Sequence, residues 1–109
     1  MFERILAAVD DSARSALVTQ VARALALHSG AALMLLRVRP DADRDQVNAN
    51  DLELAEETRA LREAGIAAHY LIHIGPPERQ IIETARRQRA TLIIVGARGA
   101  SAWPLLSHR

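Results

Sequence analysis

Thr91-Leu92-Ile93-Ile94-Val95-Gly96-Ala97-Arg98-Gly99 decides the fold. Its first five residues are leucine or β-branched and carry no polar alternation, the pattern of a strand covered on both faces. The glycine pair then allows positive φ and lets backbone amides approach an anion without obstruction by Cβ. Taken alone, Gly-x-x-Gly also suits a plain turn out of a strand. Its meaning depends on what precedes it.

Upstream, three strand–helix units lead to it. Arg4 to Val9 reads as a short buried strand, ended by Asp10-Asp11-Ser12. Ser12 is placed to cap a helix that runs to about Ser29, with Leu17, Val18, Val21, Ala22 and Leu25 on one apolar face and Gly30 at its end. Ala32 to Val38 is the second strand. Pro40 to Asn50 is polar and aperiodic and reads as an exposed loop. Asn50 or Asp51 caps a second helix, with Leu54 and Leu61 on its buried side and Gly65 closing it.

Ile66 to Ile74 alternates more than the other strands, which places it at a sheet edge. Gly75-Pro76-Pro77-Glu78 opens a third helix. Proline suits the first turn, where its missing N–H has no partner to lose, and Glu78 suits the positive end of the helix dipole. Ile81, Ile82 and Ala85 are expected to face the core, with Arg86, Arg87 and Arg89 at the solvated end.

The pattern βαβαβαβ calls for a single α/β domain over residues 1–109: three layers, with an open parallel sheet between helices. Right-handed crossovers allow the order 3-2-1-4, with strands one, two and three laid outward and strand four returning beside strand one. Chain direction then reverses between strands one and four. The crevice beyond their carboxyl ends is where open α/β sheets bind ligands. Asp10 and Gly96 to Gly99 both fall there. Asp10, if ionised, can accept from an amine, a sugar hydroxyl or a helix amide, and Arg98 can pair with a phosphate or point to solvent.

Composition narrows the chemistry. There is no cysteine, which removes disulfides, thiol catalysis and zinc–thiolate sites. All 14 basic residues are arginine, so no lysine nucleophile, Schiff base or P-loop is available. A net charge of +1 with three aromatic residues argues against a nucleic-acid surface. No apolar run approaches a membrane span, and the expected compartment is the cytoplasm. His69 and His73 share a strand face but stand about 13 Å apart, too far to share one metal. Ser101, Ser107 and His108 have no orienting acid in view. The expectation is a protein with no catalytic site and no metal site of its own.

Several of these motifs together resemble the universal stress protein family. Ile5-Leu6-Ala7-Ala8-Val9-Asp10-Asp11-Ser12 is similar to its opening strand and turn, and Leu35-Leu36-Arg37-Val38 to its second strand. Gly75-Pro76-Pro77-Glu78 is similar to the start of its third helix, and Leu92 to Gly99 to the strand and first glycine pair of its nucleotide signature. The resemblance implies a flavodoxin-like fold of the adenine-nucleotide α-hydrolase type. It further implies a regulatory role in stress survival, with ATP or AMP bound and magnesium accompanying the nucleotide. Carried over by position, Ala8, Val9 and Asp10 would line the adenine and sugar side, and Val38 would offer backbone groups to the base. Val95, Gly96, Arg98 and Gly99 would border the ribose and phosphates.

The family signature continues Gly-x2-Gly-x9-Gly-Ser/Thr, and its next glycine falls on Arg109 here. The expectation is therefore a domain without the family's fourth helix and fifth strand, binding nucleotide weakly. It leaves strand four as an apolar edge, with Trp103, Leu105 and Leu106 folding back on it or crossing to a partner. The alternative to nucleotide binding is a self-associating interaction module. A homodimer is expected in either case.

Overall fold

A computed structural model describes residues 3–9, 14–39, 44–96 and 100–104, with residues 14, 44–50 and 100–104 as backbone alone. The elements run β1 (Arg4–Val9), α1 (Arg14–Ser29), β2 (Ala32–Arg39), α2 (Arg44–Glu63), β3 (Ala68–Ile74), α3 (Pro77–Arg87), β4 (Leu92–Gly96) and β5 (Ala100–Pro104). The sheet order is β3-β2-β1-β4-β5. The first four are mutually parallel, in the expected order 3-2-1-4.

A fifth strand follows with the opposite direction. β5 pairs antiparallel with β4, Gly96 opposite Ala100 and Leu92 opposite Pro104. The chain after the glycine pair thus folds back, and β4 is an inner strand rather than the expected open edge. A three-residue connection reaches an antiparallel neighbour without a crossover helix, which a parallel neighbour would need.

Strand alternation sorts the core into two layers. On one face Ile5, Ala7, Leu33, Leu35 and Ile94 meet Val18, Ala22 and Ala26 of α1 and Leu54 and Leu61 of α2. On the other face Leu6, Met34, Leu36 and Ile93 meet Ala85 of α3. The helices differ from expectation in detail. α1 buries Val18, Ala22 and Ala26 and leaves Leu17 43% exposed. α3 buries Thr84 and Ala85 and leaves Ile82 49% exposed, one residue's turn of the helix away from Ile81. α2 begins at Arg44, six residues before the expected cap. Arg89 lies past the last turn of α3 with φ 58, the left-handed position that glycine usually takes. Ser12 lies outside the described residues.

At the amino ends of the strands, Thr91 joins β4 to β1. Its Oγ1 accepts from the Glu3 and Arg4 amides at 3.0 and 3.2 Å and donates to the Arg4 carbonyl at 3.1 Å, while its own amide donates to that carbonyl at 2.7 Å.

Candidate functional site

The site grows from one property of the strands, which is burial that weakens toward their carboxyl ends on the α3 face. Leu6 and Leu36 are fully buried there, yet Ala8, Val38 and Val95 beyond them are only half-buried. Ala8 stands opposite Leu36 on β2 and opposite Val95 on β4, and Val38 follows Leu36 on the same face, one step nearer the carboxyl end of β2. Val38 and Val95 rest on the Leu6–Leu36–Ile93 layer. The result is a small apolar floor, three strands wide, at the point where chain direction reverses. Half-buried Gly96 ends β4 beside it.

The other predicted residues divide in two. Val9 turns its side chain to the opposite face, where it is 5% exposed among the α1 and α2 contacts, and so lends no side chain to the floor. Asp10, Arg98 and Gly99 lie outside the described residues. The pairing of Gly96 with Ala100 makes residues 97–99 the link of a hairpin.

Beneath the floor, on the α1/α2 face, lie two residues that the sequence reading did not single out. Arg37 and Arg39 are buried, at 5% and 8% exposure. Arg39 Nη2 meets Asp51 Oδ1 of α2 at 3.4 Å, and its Nη1 is buried without a hydrogen-bond partner. The Arg39 carbonyl accepts from the Gly75 amide at 2.8 Å, which fixes the start of the β3–α3 turn. Gly75 has φ 144, and a Cβ there would stand 2.7 Å from Gln80 Nε2. The signal for the arginines was available, because residues 37 and 39 share the facing of Leu33 and Leu35 in a buried strand.

The histidines are structural. His73 Nδ1 pairs with the buried Thr84 hydroxyl at 3.1 Å, tying β3 to α3. His69 sits at the other end of the strand. Burial, with added repulsion from Arg4 and Arg62, holds its pKa below the usual value. Among the described residues no group of three or more His, Asp or Glu could hold a metal ion. The floor itself offers apolar contact and strand-end backbone, which suits a flat base and supplies no ligand for magnesium. No helix among the described residues is long and apolar enough to cross a membrane.

An open, mostly parallel α/β sheet with an apolar shelf at its switch point defines a class of ligand-binding domains. The universal stress protein family model matches residues 1–106, and the chain belongs to that family. Solved structures agree on the fold. A universal stress protein from Archaeoglobus fulgidus DSM 4304 superposes with a TM-score of 0.76 at 26% identity, covering 91% of this chain and 34% of that one, so the chain spans about a third of its length. A universal stress protein from Archaeoglobus fulgidus in complex with dAMP gives 0.75 at 20% identity, with 88% and 82% of the two chains covered. A family protein from Arabidopsis thaliana with AMP bound gives 0.64 at 21% identity, with 89% and 77% covered. No curated protein matches significantly in sequence.

Proposed function

We propose that this protein is a stress-response regulatory module that binds an adenine nucleotide, ATP or AMP, at the carboxyl ends of β1 and β4. The observation that carries this reading is the half-buried group of Ala8, Val95 and, one step further along β2, Val38, beside Gly96. An adenine ring covers such a shelf, and exposed strand-end amides and carbonyls can read its edge. The dAMP and AMP complexes of the two relatives support the choice of base. Asp10 at the sugar side, and Arg98 and Gly99 at the phosphates, complete the site in this reading. The protein acts in the cytoplasm by occupancy rather than by turnover, and as a dimer. Magnesium would arrive on the nucleotide's phosphates.

A second reading is a self-associating module that binds no nucleotide. It is favoured by the β4–β5 hairpin, which draws Gly96 into strand pairing. Titration calorimetry with ATP, ADP and AMP separates the two. Heat at millimolar ligand, lost in Asp10→Ala and in Ala8→Leu, is the expected result. Ala8→Leu raises the floor into the space of the base. Absence of heat with all three nucleotides would reject the nucleotide reading.

A further inference from the structure

Among the described residues α3 is the one helix on its face of the sheet, and it lies over β2 and β3. Two sets of contacts fix its rotation. Ile81 and Ala85 turn down to the sheet, into the layer with Leu6, Met34 and Leu36. Thr84 turns toward the outer strand, its hydroxyl 3.1 Å from His73 Nδ1 of β3. Successive residues advance about 100° around a helix, so Ile82 falls on the flank opposite Thr84, the flank nearer β1. Glu78 precedes it by one turn on the same side.

The Thr84–His73 bond also fixes the level. His73 stands opposite Val38 on β2, so Thr84 is level with the Val38 part of the shelf. α3 runs back from the carboxyl ends of the strands, and Ile82 lies about 3 Å nearer those ends than Thr84. Glu78 lies nearer still. It precedes Ile81 by three residues and Ala85 by seven, which sets it close to their sheet-facing stripe, yet it is exposed. The first turn of α3 thus overhangs the carboxyl end of the sheet. Ile82, 49% exposed, is a large apolar group on the side of the half-buried floor.

We propose that this flank of α3 is the side wall of the nucleotide site, with Ile82 packing on the edge of the base and Glu78 accepting from its exocyclic amine. The inference rests on the nucleotide reading above and adds a means of choosing among bases. Ala8, Val38 and Val95 are apolar and take any flat ring. An ionised carboxylate is an acceptor only. It pairs with the amine of adenine and repels the carbonyl oxygen that stands in its place in hypoxanthine, a ring of the same size and shape. Glu78 also suits the positive end of the helix dipole, but that interaction favours neither base. Base preference therefore separates the two roles.

The test is titration calorimetry with AMP and inosine monophosphate, which share sugar and phosphate. The wild-type chain is expected to bind AMP at least about tenfold more tightly. Glu78→Gln, whose amide can turn a donor to the carbonyl oxygen, is expected to bring the two ligands within about threefold of each other. Ile82→Asp is expected to weaken AMP binding at least about tenfold, by placing a charge against the base. A preference for AMP that Glu78→Gln leaves intact overturns the proposal while the nucleotide reading stands. Equal affinity for the two ligands in the wild-type chain does the same. No heat with either ligand removes both. Should Glu78→Gln fail to fold, unaltered AMP affinity in Ile82→Asp overturns the wall.

Discussion

The two faces of the sheet are built from the same strands and finished differently. Among the described residues, the α1/α2 face carries fifteen buried apolar residues in one cluster, and the α3 face carries six. One face is closed to the strand ends, where even Arg37 and Arg39 are buried. The other opens at Ala8, Val38 and Val95. The difference shows how one sheet separates two duties. The thick layer holds the fold, and the thin layer ends early and leaves the shelf at which we propose that the nucleotide binds.

The widest test of this contrast is a matched pair of truncations. Leu35 and Leu36 are neighbours in β2, both at 0% exposure, and they face opposite layers. Leu35→Ala is expected to cost about 3–5 kcal/mol in urea unfolding, because two helices hold the cavity open. Leu36→Ala is expected at about 2–3 kcal/mol, because a single helix can settle into the gap. Equal losses would break the comparison.

Smaller effects sharpen it. Gly75→Ala forces a left-handed backbone on alanine and displaces the Gln80 side chain, at a cost of about 1–2 kcal/mol by thermal denaturation. Thr84→Val removes the Thr84–His73 hydrogen bond that ties α3 to β3 and should cost about 1 kcal/mol, with faster amide exchange in α3. The smallest effect is that of His69. Its folded pKa lies below the unfolded 6.5, so the unfolded chain binds more protons as pH falls through that value. Its contribution is neutral at high pH and destabilising in acid. Replacing His69 with glutamine should flatten the stability profile below pH 6.5.

Most of the architecture was legible because it follows from local signals. Glycines at 30 and 65, the Pro76-Pro77 start of α3 and the buried runs of β1, β2 and β4 each mark an element boundary. Strand order followed from right-handed crossovers once strands one, two and three were laid outward in sequence. The errors share a cause. Ile82 and Leu17 are apolar residues just off a buried stripe, and hydropathy does not say how wide that stripe is. Residues 44–49 are helical without a core-facing pattern to announce it. β5 was missed as an element because its antiparallel direction depends on where the chain returns. Within the candidate site, positions at the strand ends could be named from topology. Which face each one serves required the alternation from Ala8 to Val9 to be placed against real helices.

The Thr91 junction carries a consequence for synthesis on the ribosome. β1 and β4 are neighbours in the sheet, yet Arg4 and Thr91 are separated by 87 positions in the chain. While the chain is being made, β1 can pair with β2 and β3 but has nothing on its other side until the last fifth of the sequence emerges. A central strand of the finished sheet is thus an open edge until β4 emerges. A nascent chain paused before residue 91 should be the form most in need of a chaperone.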